Sequence, residues 1–224
     1  MTITDEEAIR LDGSARTKRL PLPVIHKTPL PRPSSIPTSF LLALAERRSA
    51  EHFVPIPLGD LATWLYYCAS VQSVHSDDPN RQRRFVASIG ALHPAHIILG
   101  SPNGKWSAYL SEEHALGDLI VDAEAALQVR AKAMQLFGSS EATLVALISD
   151  RDLVGNYYAN ASALMLRDAS ILLGHAALVA AALGLAFRIL GSSGTPSLEN
   201  VVSNLPFQPM ATGLAWIGKR EEFT

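Results

Sequence analysis

One cysteine, Cys68, stands among 224 residues. It excludes an internal disulfide framework and any cysteine-rich metal centre, and it suits a reducing, cytoplasmic setting. No excess of positive charge is present either. Nineteen lysines and arginines face 21 aspartates and glutamates, so the basic surplus of a dedicated nucleic-acid binder is missing. The seven histidines, at 26, 52, 75, 93, 96, 114 and 175, show no HExxH-like spacing, and no metal site is expected. "GSSGTP" at 191–196 has neither the P-loop lysine nor GxGxxG spacing, which argues against a Rossmann domain. It is also not a GxSxG elbow. The start, "MTITDEEAIRLDG", is acidic and polar, unlike a secretory signal.

Long uncharged runs are scarce as well, with one exception. "ASILLGHAALVAAALGLAF", residues 169–187, is about long enough to cross a bilayer. Its alanine content, His175 and two glycines favour instead a central helix buried all round in a soluble protein, open to close approach by another helix. With 48% hydrophobic residues, the chain has material for a substantial core.

Proline is concentrated at the start. "LPLPVIHKTPLPRPSSIP" makes residues 1–37 an extended arm, with 38–224 as the domain. Disorder is one reading of the arm. Wrapping over a partner subunit is the other, because Leu20, Leu22, Val24 and Ile25 are apolar for a free tail.

Helices are expected at 39–48, 60–71, 113–137 and 161–184, and strands at 95–100, 104–110, 142–149, 185–190 and 212–218. Phe40, Leu41, Leu44 and Ala45 would share the face of the first helix. Asp60 would cap the second, with Leu61, Trp64, Leu65 and Cys68 on its buried side. Helices around a four-stranded sheet give an α+β sandwich.

Small residues meet cations in several loops. "ERRS" puts Arg47, Arg48 and Ser49 at a helix end, where cations also suit the macrodipole. "ASIGALHP" puts Ser88, Gly90 and Ala91 just before a strand, where backbone N–H groups lie open to a flat ligand or a phosphate. "RILGSS" offers Gly191 and Ser192, and "WIGKR" ends the last strand on Lys219 and Arg220. Each is an ordinary turn alone, whereas a phosphate dianion needs several such groups together.

In order and spacing, "ERRSAEHF", "ASIGALHP", "AYLSEEHALGDL" and "RDASILLGHAALVAAALGLAFRILG" resemble segments of the nitroreductase-like flavoprotein family, nearest its SagB-type dehydrogenase branch. The resemblance spans roughly residues 39–220. It implies an α/β/α sandwich with a central, mainly antiparallel sheet and a long buried central helix at a homodimer interface. It implies an FMN-dependent oxidoreductase, with NAD(P)H as candidate electron donor and a small-molecule or peptide substrate. Neither nucleic acid nor membrane is expected as a partner, given the charge balance and the composition of residues 169–187.

Carried onto this sequence, the resemblance makes Arg47, Arg48, Ser49, Lys219 and Arg220 the flavin phosphate and ribityl site. Ser88, Gly90 and Ala91 would contact the ribityl chain and ring, and Gly191 and Ser192 would lie near flavin N5. The branch's Lys-Tyr pair before the central helix falls on Asn156 and Tyr157, leaving Tyr157 as the catalytic candidate. Glu51, i+4 from Arg47, would form an intrahelical ion pair with it. Glu51, Ala87 and Asn156 depart from the family pattern. They support an alternative, a non-catalytic relative acting in flavin binding, assembly or interaction.

Overall fold

A computed structural model describes residues 7–11, 16–33, 38–138 and 141–221. Its centre is a seven-stranded antiparallel sheet. In chain order the elements begin with β1 (Ile9–Arg10), β2 (Val24–Pro29), α1 (Phe40–Glu46), α2 (Leu58–Ala69), β3 (Val71–Val74) and β4 (Gln82–Arg84). β5 (Ala95–Gly100), β6 (Trp106–Leu110), β7 (Ala115–Leu119), α3 (Ala123–Leu136), β8 (Thr143–Asp150) and α4 (Arg151–Gly155) follow. The last elements are β9 (Tyr158–Ala159), α5 (Ser162–Ala182), β10 (Leu185–Ile189), α6 (Ser197–Val201) and β11 (Pro209–Lys219). The order across the sheet is β10-β11-β8-β5-β6-β7-β2, with β3-β4 and β1-β9 as separate pairs.

Side-chain alternation divides the core into two layers. Ala95, Ile97 and Leu99 of β5 face a cluster built with α2 and α5, whereas Ile98 faces the cluster of α3 and α6. Helices therefore cover both faces. The central strand β8 is buried along its whole length, which is why "TLVALISD" lacks a polar face.

Most helix and strand expectations match the structure within a few residues, and two differ in kind. Residues 113–137 are not one helix, because Ala115–Leu119 is strand β7 and the helix begins at Ala123, capped by the Asp122 carboxylate. "ALGDL" alternates buried with half-buried residues along β7. Gly117 has no side chain, and a Cβ there would lie 2.4 Å from Val24 of β2. The second difference is β2 itself. It adds an edge strand from the Pro-rich arm to the chain's own sheet, and with β7 it brings the sheet to seven strands.

Smaller differences concern the helices. α2 starts at Leu58 after Pro57, so Asp60 sits in its first turn instead of capping it. Trp64, Leu65 and Cys68 are fully buried as the spacing predicts. The face of α1 is reversed. Ala43 is its one buried residue, while Phe40 and Leu41 are 65% and 73% exposed.

α5 is long and apolar enough to cross a membrane by length and composition. It packs Met165, Ala169, Leu172, Leu173, Ala176 and Ala180 into the core. Trp64 Nε1 donates to its Ala176 carbonyl at 3.0 Å, and His175 Nε2 bonds the Tyr67 carbonyl at 2.8 Å. Its other face, with Arg167, Ser170, Ile171 and Gly174, is exposed. Within one chain the helix is thus buried on one side, not all round.

Candidate functional site

The segment after α1 is tied to the start of β10 and the end of β11. Ala50 N–H donates to the Phe187 carbonyl at 3.0 Å. Arg188 donates to the Ala50 carbonyl at 3.0 Å, its guanidinium 3.7 Å above the centre of the Phe137 ring. Val54 and Lys219 exchange both backbone hydrogen bonds, at 3.1 and 2.9 Å. Gly218 permits this approach, since a Cβ there would stand 2.7 Å from the Val54 carbonyl oxygen. Two sequence segments, 47–49 and 219–220, are thereby brought to one edge of the sheet.

Arg47, Arg48, Ser49, Lys219 and Arg220 are all exposed there. Arg48 uses one terminal nitrogen on the Ala45 and Arg47 carbonyls, and Arg220 Nε donates to the Leu185 carbonyl at 3.4 Å. The expected Arg47–Glu51 ion pair does not form. Arg47 is the C-cap of α1, with ψ at 120°, so residues 47 and 51 do not lie one helical turn apart. The edge therefore carries four cations, none of them ion-paired with a carboxylate among the described residues. Cations and open donors of this kind fit a phosphate group.

Ser88, Gly90 and Ala91 lie elsewhere. They form a short 3-10 turn leading into β5, with positive φ at Gly90 (62°), Ala91 (58°) and His93 (44°). Such angles strain alanine and histidine, so surrounding contacts must hold the turn. Asp168 of α5 accepts the Ile89 N–H at 2.8 Å, and Ser88 Oγ accepts the His93 N–H at 2.8 Å. Arg19 of the arm donates to the Leu92 and His93 carbonyls. Burial pushes the Asp168 carboxyl above its usual range, although the Ile89 and Ser88 donors and the nearby Arg84 oppose the shift.

The register places this turn and the four cations at opposite ends of the sheet. Ala95 lies opposite Ser149, which lies opposite Met210, whereas Lys219 lies opposite Leu185. From Met210 to Lys219 along β11 is roughly 30 Å at the strand rise of about 3.3 Å per residue. Gly191 and Ser192 follow β10 in the half of the sheet away from Lys219, because Leu190 N–H donates to the Leu214 carbonyl. Within one chain, then, 47–49 joins 219–220 and remains remote from 88–91.

Tyr157 lies under the arm, 3% exposed. Its hydroxyl is 2.9 and 2.8 Å from the two Asp78 carboxylate oxygens and accepts from Asn80 Nδ2 at 3.2 Å. Arg16 and Arg81 pair with the same carboxylate at 3.1 and 3.3 Å, and the Arg16 guanidinium stacks 4.2 Å over the Tyr157 ring. Burial raises the Tyr157 pKa, and the hydrogen bond to Asp78 adds to the rise. Burial also pushes the Asp78 pKa upward, but Tyr157, Asn80, Arg16 and Arg81 outweigh it and hold the group below the usual carboxylate range.

Arg16, Arg19, Asp78, Asn80 and Asp168 have no part in the sequence expectations for the site. Their signal is weak in a linear reading, because more than 60 residues separate Arg16 from Asp78. Asn156 donates to the Thr17 carbonyl at 3.4 Å, so its amide also meets the arm.

No family model and no curated protein matches the sequence. Solved structures do match in shape. A protein from Ralstonia eutropha JMP134, crystallised as a candidate nitroreductase, superposes with a TM-score of 0.66 at 17% identity, covering 95% of this chain and 100% of its own. A chain of the E. coli microcin synthetase McbBCD complex, with truncated pro-MccB17 bound, superposes at 0.56 and 19% identity over 79% of this chain and 70% of its own. A nitroreductase with bound FMN from Bacteroides fragilis gives 0.51 at 14% identity, covering 84% of this chain and 91% of its own. The sheet order, the two helical layers and the long α5 thus place this chain among proteins of the nitroreductase-like fold.

Proposed function

We propose that the protein is an FMN-dependent oxidoreductase acting as a homodimer. The observation that carries this reading is the sheet edge where Val54 pairs with Lys219 and gathers Arg47, Arg48, Lys219 and Arg220 without carboxylate partners. The FMN held by the Bacteroides fragilis neighbour supports flavin as the ligand. The four cations and Ser49 would hold the phosphate end. Bound FMN would supply two-electron hydride chemistry, and the protein supplies binding, orientation and electrostatics.

The distance between the two sets of candidate residues favours a shared site. Each flavin would be held by the clamp of one subunit and covered by the Ser88–Ala91 turn of the other. Leucines exposed on α1, together with Ile171 and Gly174 on α5, provide an apolar face for that pairing. Asp168 and Arg19 fix the turn against its own backbone strain, so its N–H groups are preorganised. The proposed electron donor is NAD(P)H, and the substrate is a small molecule or a peptide. Tyr157, with its hydroxyl on Asp78, fits a positioning role better than direct contact with substrate.

A second reading, a flavin-binding or assembly protein without turnover, is favoured by that buried Tyr157 and by Asn156. One experiment tests both. The purified protein should be yellow, with flavin near one per subunit, and NADH or NADPH should bleach it anaerobically. A protein that takes up no added FMN refutes flavin binding. Uptake without bleaching by either nucleotide supports the second reading. Replacing Arg47 and Lys219 together with alanine should release the flavin, and full retention would refute the clamp.

A further inference from the structure

A cavity of about 440 Å³ lies between the arm, the loop before β4 and the turn joining β6 to β7. It is separate from the cationic edge, since Lys18, Arg19, His96 and Leu110 wall it and none of residues 47–49 or 219–220 does. Arg19 is the unusual wall residue. Its terminal nitrogens bond the Leu92 and His93 carbonyls, while its Nε is buried and has no hydrogen-bond partner. No carboxylate lies within ion-pair distance of it among the described residues. A buried guanidinium bonded only to carbonyls has no carboxylate in contact with it, Asp150 and Glu112 acting on it only from a distance, and such an arrangement is costly.

A second wall group is also orphaned. His96 stacks on Phe207 at 5.3 Å, and its Nε2 is buried with no partner. The remaining charges show what the space admits. Glu113 is held by Lys27 at 2.7 Å, and Glu112 accepts from Gln82 Nε2 at 2.6 Å. Three cations, Lys18, Arg19 and Lys27, thus face two carboxylates, Glu112 and Glu113, in the wall. The excess is a single positive charge, which matches a monoanion better than a dianion placed near two glutamates. Leu20, Pro21, Leu22, Val74 and Leu110 make the rest of the lining largely apolar. Pockets with apolar walls and a few polar anchors suit small organic ligands.

We propose that this cavity binds a small carboxylic acid with an apolar body, its carboxylate neutralising Arg19 and its hydrocarbon part packed on Leu20, Leu22 and Val74. The arm forms one wall, so occupancy would also fasten residues 16–22 to the loop holding Asn80, whose Oδ1 already accepts the Arg19 N–H at 2.7 Å. This inference does not rest on flavin binding.

Isothermal titration of the full-length protein with benzoate and with hexanoate tests it, using hexanamide and inorganic phosphate as controls. One site per chain is expected for at least one acid, with binding at least tenfold weaker for hexanamide and for phosphate. Arg19→Gln should weaken the acid at least tenfold. Because that change also disturbs the Leu92 and His93 contacts, Val74→Trp provides a second arm, filling the cavity from a half-exposed position. It should abolish binding while leaving the circular dichroism spectrum and Tm unchanged. Three results would each overturn the proposal: no binding of either acid, equal binding of hexanamide, or unchanged affinity in folded Val74→Trp.

Discussion

Val54 and Lys219 exchange backbone hydrogen bonds at 3.1 and 2.9 Å, and through that bridge the Arg47–Ser49 segment reaches the end of the last strand. Gly218 is the residue that allows it, because a Cβ there would meet the Val54 carbonyl at 2.7 Å. Gly218→Val should push residues 53–55 off the strand and destabilise the fold by about 1–3 kcal/mol, as overpacking does. Urea denaturation reads the loss. Flavin content, measured by absorbance, should fall with it if the bridge assembles the clamp.

The opposite placement of the clamp and the 88–91 turn makes a prediction for mixed dimers. A chain carrying Arg47→Ala and Lys219→Ala has a disabled clamp. One carrying Gly90→Val has a disabled turn, since Gly90 has φ at 62° and Tyr158 stands 3.0 Å from the position of a Cβ. Each homodimer should be colourless. Co-expressed heterodimers, isolated with two tags, should retain one flavin per dimer, because one of their two sites joins an intact clamp to an intact turn. Colourless heterodimers would mean that each site draws its clamp and its turn from the same chain.

Tyr157→Phe removes the hydroxyl that meets Asp78 and leaves that carboxylate with Arg16, Arg81 and the Asn80 N–H. A stability loss of about 1–3 kcal/mol is expected from the broken buried hydrogen bond. Flavin content should be unchanged. A fall in turnover with unaltered KM and stability would instead assign the hydroxyl to chemistry.

Acid should weaken the fold through two histidines. Burial holds His93 at a pKa of about 3, with Arg84 and Arg19 adding to the depression, and burial likewise holds His96 at about 3. Between pH 6.5 and 3 the unfolded chain binds these protons and the native chain does not. Stability is therefore lost as pH falls, by at most about 2.7 kcal/mol per pH unit for two protons. Asp150 and Asp168, whose carboxyls burial raises, act in the opposite sense between 3.8 and their native values. Denaturation curves from pH 7.5 to 4 should show the slope, and His96→Phe, which keeps a ring against Phe207, should reduce it.

Much of this fold was legible in the linear sequence, because its signals are local. Trp64, Leu65 and Cys68 repeat at helical spacing and are buried as expected. "ATLVALIS" reads as a β-branched apolar strand and forms β8, and the apolar stretch 161–184 reads as a long helix and forms α5. β7 was hidden because "ALGDL" is short and runs towards a strongly helical segment that begins only after Asp122. β2 was hidden because a Pro-rich stretch reads as extended with or without a neighbour. Only pairing with Gly117 makes it an edge strand.

The site divides along the same line. The sequence by itself determined which residue types could clamp a phosphate, since arginine, lysine, serine and glycine carry that capacity wherever they lie. Tertiary structure alone decided which of them meet. Register along β11 put Lys219 beside Val54 and roughly 30 Å from the row of Ala95. It also brought Arg16 and Arg19 of the arm onto Asp78 and the Leu92–His93 carbonyls. Such contacts depend on strand pairing between distant segments, and no local pattern of residues encodes them.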